Sequence, residues 1–270
     1  MSLRRRDVTK AVINYAARTD FRQRYYANDH SRDTVVIDGH PMEITDGRAV
    51  ATDLDAAGFK LVAHRSQVTD FQDRAAVAAV HPPEIVDLLL RETGADAVFC
   101  TSPGILRFGE KSKLAGQLNN SMPARFAHID ISAETAAGFA KGGAPEGRTL
   151  RRYAHYNVWR AFSAPPQDVP LAVCDSRSVA ADDLIIADAI FDDPEKPEWS
   201  FESYIITHNP AHRWHWFPNM TRDEAIIFKT SDSQFANPIP HVAFDNPDAP
   251  ADVAPRSSIE MRAIAFWFDA

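Results

Sequence analysis

From Phe126 onward the chain alternates short runs of β-branched and aromatic residues with prolines, at positions 165, 166, 194, 197, 210, 218, 238, 240, 247, 250 and 255. Proline cannot donate to a sheet ladder, so each run has to stop near the next proline. That punctuation leaves little room for long helices and favours many short strands in a sandwich or barrel. Strands are expected near Phe126–Asp130, Arg151–Phe162, Val169–Asp175, Leu184–Ile190, Phe201–His208, His212–Phe217, Glu224–Lys229, His241–Phe244 and Ser258–Phe268. One short helix fits Ala133–Lys141.

The first third reads differently. Asp38-Gly39 and Asp46-Gly47 are hairpin-type dipeptides, so Thr34–Ala51 is expected to form a small β-meander. Gly58–Val62 continues as a strand. A helix is expected to open at Pro82-Pro83-Glu84, carry Ile85, Leu88 and Leu89 on one face, and close at Gly94. Ala95–Cys100 then suits a buried strand. The expected architecture is mainly β with flanking helices: one domain over 1–270, with an N-terminal α/β extension (1–95) around a β core (96–270).

Composition narrows the partners. A formal net charge of -8 disfavours nucleic acid and acidic lipid. Two cysteines, Cys100 and Cys174, are too few for a disulfide scaffold or a cysteine-rich zinc site. No run is apolar for long enough to span a bilayer. The basic start Arg4-Arg5-Arg6 meets Asp7 instead of an apolar run, which reads as a solvated tail and not a signal peptide. The expectation is a cytoplasmic protein with a small-molecule ligand.

Two stretches carry chemistry. In Arg125–Ile131 the strand alternation puts His128 and Asp130 on one side and Ala127, Ile129 and Ile131 on the other. An imidazole and a carboxylate side by side supply two legs of a two-histidine, one-carboxylate triad, which leaves open positions on Fe(II). His241, entering a late strand more than a hundred positions on, is a candidate third ligand. After it, Arg256 and Ser258 share a strand face and suit a carboxylate clamp. Arg262 and Glu260 fall on that same face. Arg262 reads first as a structural ion-pair partner, for example of Glu224, and second as a clamp or substrate contact.

Taken in order, these segments resemble the AsaB/CmcJ-like hydroxylase/desaturases, which include fungal gibberellin desaturase. The likeness runs from about Gly58 to the C-terminus. It rests on Gly58–Val62, His128–Ser132, Asn157–Arg160, Pro170–Ser176, His212–Trp216, Asp223–Lys229, Asp232-Ser233, His241 with Phe244, and Arg256–Arg262. The resemblance implies a double-stranded β-helix (jelly-roll, cupin-like) oxygenase. It would use Fe(II), with 2-oxoglutarate and O2 as co-substrates, on a small hydrophobic secondary metabolite. His128, Asp130 and His241 would hold the iron, and Arg256 and Ser258 the co-substrate.

Other readings stay beside it. His208, His212 and His215 form the densest histidine cluster, and the strand pattern makes Trp214 and Trp216 a pocket wall or a core. Arg160 suits either a carboxylate contact or an ion pair with Asp175 or Glu202, and Tyr156 is a candidate pocket residue. At the level of function, the alternatives are a jelly-roll metal hydrolase or isomerase, and a non-catalytic small-molecule-binding partner of a tailoring enzyme. The Arg256/Ser258 clamp disfavours the first, and a complete ligand triad the second.

Overall fold

Residues 8–235 and 238–269 are described by the structure, a computed structural model; the Arg4-Arg5-Arg6 tail lies outside them. In chain order the elements are β1 (Val8–Ala16), β2 (Arg24–Tyr26), β3 (Ile37–Asp46), β4 (Phe59–Ala63), α1 (Arg74–Thr93), β5 (Ala97–Cys100), β6 (Ile105–Phe108), β7 (His128–Ile129) and α2 (Ala133–Gly143). They continue with β8 (Leu150–Ala161), β9 (Leu171–Cys174), β10 (Leu184–Phe191), β11 (Trp199–Ile206), β12 (Trp214–Trp216), β13 (Glu224–Asp232), β14 (His241–Ala243) and β15 (Ser257–Phe268).

Every late strand expected from the proline punctuation is present. They are shared between two sheets of a jelly-roll. A nine-stranded sheet runs β1-β3-β12-β9-β14-β7-β11-β10-β2, and a six-stranded one runs β4-β13-β8-β15-β5 with β6 also on β15. Between them Phe59, Trp159, Ile226 and Phe228 meet Leu171, Val173 and Phe217. On the outside of the smaller sheet, α1 sets Ile85, Leu88 and Leu89 against Val158, Met261, Ala263 and Ala265. Truncating one such leucine to alanine costs about 2–5 kcal/mol, because transfer and cavity terms add. The larger sheet curls until β1 lies behind β7, where the Ala127 amide donates to the Asn14 carbonyl at 2.7 Å.

The first third departs from expectation in three places. Asp38-Gly39 is not a turn: both residues lie inside β3, with Gly39 in register with Asn14 of β1. The missing Gly39 side chain leaves room for Asn14 and Val12, whose atoms would stand 3.2 Å from a Cβ there. The second Asp-Gly does end the strand, the Asp46 carboxylate accepting from the Arg48 amide. Helix α1 begins at Arg74 instead of Pro82, because the Asp73 carboxylate caps the amides of Ala75 and Ala76. Pro82 and Pro83 therefore sit inside it, while Gly94, at φ 64°, closes it as expected. Strands β1, β2 and β6 are also additional to the expected set. β1 and β3 extend the larger sheet, whereas β4 and β5 flank the smaller one.

Candidate metal centre and its cavities

The two histidines reach one another by strand pairing. β7 and β14 are antiparallel neighbours, and His128 and His241 are direct partners in their register. Their rings lie 4.3 Å apart between centroids. Asp130 follows His128 at the strand end, so alternation returns its carboxylate to the same side. The Nε2 atoms of His128 and His241 each stand 3.8 Å from one Asp130 oxygen. Ligand atoms from all three residues lie within 4.8 Å of one another, and all three side chains are buried. No other group of three such residues meets that condition among the described residues.

The imidazoles are set for metal binding by what they touch behind. Nδ1 of His128 lies 3.0 Å from the Phe126 carbonyl, and Nδ1 of His241 lies 3.4 Å from the Ile239 carbonyl. A carbonyl only accepts, so Nδ1 carries the proton and Nε2 offers its lone pair. Burial pushes the His128 imidazole down to about 3 and also lowers His241, which keeps both neutral. Burial alone would raise Asp130, but Arg262 chiefly, then the two histidines, overcome it and hold the carboxyl below its usual range. Two groups on the facing sheet fix that carboxylate. Arg262 donates to Oδ1 at 2.7 Å and Asn157 to Oδ2 at 2.6 Å. Arg262 and Asn157 are themselves register partners on β15 and β8.

Along β15 the expected face forms. Arg256, Glu260 and the triad line a small chamber together with Arg107 and Trp159. The Arg256 guanidinium is buried, donates from Nη1 to the Val169 carbonyl at 2.8 Å, and leaves Nε and Nη2 without a partner among the described residues. Burial first, then Arg107, pushes it down to about 10. An unsatisfied buried guanidinium is costly, and it points to an anion that completes it. Ser258 is buried beside it, with its hydroxyl 3.3 Å from the Arg107 carbonyl. Arg262 pairs with Asp130 and with Glu260, at 2.9 Å, while Glu224 pairs instead with Arg48.

Other candidates lie elsewhere. Trp214 and Trp216 point to the far side of the nine-stranded sheet, with Ile129 and Val242, so alternation turns them away from His128 and His241. The Trp214 indole donates to the Tyr15 hydroxyl at 2.7 Å. Arg160 is buried against the carbonyls of His64 and Arg222 and over the Phe71 ring, while Asp175 pairs with Arg177 and Arg213. Tyr156 packs under α1 and borders a cavity of about 700 Å³ that also reaches Asp130 and Arg262. In the histidine cluster, His212 is tied to Asp183 and Tyr15, and His208 stacks on His40. A second cavity, of about 330 Å³, opens directly on His128 and Asp130. Arg107 borders it and is a residue the sequence reading did not single out; it rides on β6, which gave no clear strand signal.

The model of the oxidoreductase/YMDC permease-like domain family matches residues 13–266. A hydroxylase/desaturase of Cercospora beticola, CTB9, is 32% identical over 237 residues, 80% of this chain and 72% of that protein. The chain belongs to the hydroxylase/desaturase family. Another relative is the Fe(II)/2-oxoglutarate-dependent dioxygenase nvfI of Aspergillus novofumigatus, 32% identical over 72% of this chain and 69% of that protein. A solved structure of the iron and alpha-ketoglutarate-dependent endoperoxidase NvfI superposes with a TM-score of 0.81 at 25% identity, covering 99% of this chain and 100% of that one. Membership makes the protein a non-haem Fe(II)/2-oxoglutarate-dependent dioxygenase of jelly-roll fold. No helix among the described residues is long and apolar enough to cross a membrane.

Proposed function

We propose that His128, Asp130 and His241 hold the iron, and that Arg256 holds the distal carboxylate of 2-oxoglutarate, in a hydroxylase or desaturase of a small hydrophobic metabolite. The observation that carries this is the pairing of a buried histidine–aspartate–histidine group with two unsatisfied Arg256 guanidinium nitrogens in one chamber. Two neutral imidazoles and one carboxylate suit a divalent iron and leave positions for co-substrate and oxygen. Bound there, iron with 2-oxoglutarate and O2 supplies the oxidising power to take hydrogen from an unactivated C–H bond, 2-oxoglutarate leaving as succinate and CO2.

The chain's own contribution is placement. Phe126 and Ile239 carbonyls orient the imidazoles, and Asn157 and Arg262 orient the carboxylate. Arg256 completes its hydrogen bonding on the co-substrate and fixes which end faces the triad. Trp159 stands against the Arg256 guanidinium, 5.7 Å from ring centre to Cζ. A metal hydrolase has no use for a guanidinium left unsatisfied in this position. Anaerobic titration of the purified protein with Fe(II) and then 2-oxoglutarate tests the assignment. A weak visible charge-transfer band, and succinate on admitting O2, are expected. Stoichiometric Fe(II) binding that persists in His128→Ala with full succinate formation would overturn the ligand set.

A further inference from the structure

The 330 Å³ cavity beside the triad is bordered mostly by apolar side chains, among them Tyr25, Met122, Phe126, Ile190 and Phe201. Three arginines also reach it: Arg107, Arg125 and Arg262. Two of them are already neutralised by pairs of carboxylates. Arg125 is held by Glu110 and Asp245, and Arg262 by Asp130 and Glu260. The acid on the cavity wall away from the triad, Asp33, is engaged by His30 and by the Tyr26 amide. Arg107 is different. Among the described residues no carboxylate lies within ion-pair distance of it, and its hydrogen bonds run from Nη1 to the Asn120 side chain and the Met122 carbonyl, at 3.0 and 2.5 Å.

Those two partners decide which space the guanidinium serves. Asn120 and Met122 line the apolar cavity and not the small chamber where Arg256 is unsatisfied. Arg107 itself borders both spaces, but the two groups that hold its Nη1 belong to the apolar cavity alone, so that nitrogen is fixed on the cavity side. Glu260 and Asp130 act on Arg107 only from beyond ion-pair distance, so a buried cation bonded to two neutral acceptors can still take an anion, strengthened by the poor solvation around it. The same cavity is bordered by His128 and Asp130, so an anion held there belongs to a molecule lying against the metal ligands.

We propose that Arg107 anchors a carboxylate of the substrate, which makes the natural substrate an apolar acid lying with its acidic end near the triad. This rests on the proposed function, since the cavity counts as a substrate site only if the triad is the reacting centre. Arg107 is a binding residue here; Arg256 keeps the co-substrate.

The test uses the full chain loaded with Mn(II) and 2-oxoglutarate, and a matched pair of probes: 1-naphthaleneacetic acid and its uncharged methyl ester. Wild type is expected to bind the acid about tenfold or more tightly than the ester, a preference that salt reduces. Arg107→Gln should erase the preference, leaving ester binding and the 2-oxoglutarate requirement unchanged, and Arg107→Lys should restore part of it. Equal affinity for acid and ester in wild type overturns the proposal without any variant being needed, so a variant that fails to fold does not shield it. An Arg107→Gln protein that keeps the preference also overturns it. So does one whose only defect is a raised 2-oxoglutarate requirement, because the guanidinium then serves the co-substrate. Uptake of Mn(II) and 2-oxoglutarate is read first, and probe binding is repeated without them. Failure of loading counts against the proposed function, while the acid–ester comparison still judges Arg107.

Discussion

Arg256, just ahead of β15, and Arg262, midway along it, are the same residue type on the same face in opposite electrostatic states. Arg262 is bonded to two carboxylates, and Asp130 and Glu260 hold its guanidinium above the ordinary arginine range in spite of burial. Among the described residues the Arg256 guanidinium has no carboxylate within ion-pair distance, although its amide donates to Asp168; two of its nitrogens are unsatisfied, and it is pushed down to about 10 by burial and by Arg107. The strand rises about 3.3 Å per residue, so six positions separate the two by roughly 20 Å. They therefore act on different parts of the site. The difference teaches that burial and parity alone do not distinguish the two arginines; the partners that the fold gives their guanidinium groups do. Arg262 is bonded to the protein's own aspartate, and Arg256 is the arginine we propose for the co-substrate.

The comparison can be broken from either end. Removing the anchor at the Arg262 end should have the largest effect: Asp130→Ala is expected to abolish stoichiometric Fe(II) binding and succinate formation together, as measured by titration and product assay. It also leaves the Arg262 guanidinium with Glu260 as its one carboxylate among the described residues, so a fall in Tm is expected. Next, Arg262→Gln and Asn157→Leu each free one oxygen of Asp130. Changes to groups that orient metal ligands typically cost about 10–100-fold in metal affinity, and calorimetric Mn(II) titration should show a loss in that range. An unaltered affinity in both would mean that Asp130 needs no orientation from the facing sheet. Third, Arg256→Ala should raise the 2-oxoglutarate concentration needed for half-maximal succinate formation by about tenfold or more, with metal affinity nearly unchanged. If Arg262→Gln shifts that concentration and Arg256→Ala does not, the roles are reversed. The smallest effect on chemistry is expected from Arg160→Met. Its carbonyl partners at His64 and Arg222 lose their donor, which should cost about 1–3 kcal/mol of stability in denaturant unfolding and leave the 2-oxoglutarate requirement untouched.

How much of this was legible in the sequence differs by region. The late strands were, because prolines mark their ends and alternation assigns their faces. The triad followed from the same alternation, since His128 and Asp130 had to share a side and His241 had to enter a strand. The first third was less readable because its strongest local signals lose to tertiary pairing. Asp38-Gly39 has hairpin chemistry, yet nine consecutive partners on β1 hold it extended. Pro82-Pro83 looks like a helix start, yet Asp73 caps an alanine-rich turn upstream and the helix runs through. β1 mixes Lys10 and Asn14 with its apolar residues and has a half-exposed outer side, so it reads as polar chain. For the tryptophans the shared face of Trp214 and Trp216 was evident, but which side of the sheet faced the metal was not. That depends on which strands flank them. Arg107 escaped for a related reason: what sets it apart is that no carboxylate among the described residues pairs with it directly, and ion pairing is a property of folded neighbours.

β7 is only two residues long, pinned by β14 on one side and β11 on the other. Side chains alternate with a period of two, so shifting this segment by one residue exchanges its two faces. A single-residue insertion or deletion between Arg125 and His128 would turn the imidazole and the carboxylate into the apolar layer and bring Ala127 or Ile129 to the chamber. Point substitutions at Phe126 or Ile129 leave the phase intact. In the lineage of this chain the spacing of that segment should therefore be far less free to drift than its composition, and length variation should be displaced into the connections on either side.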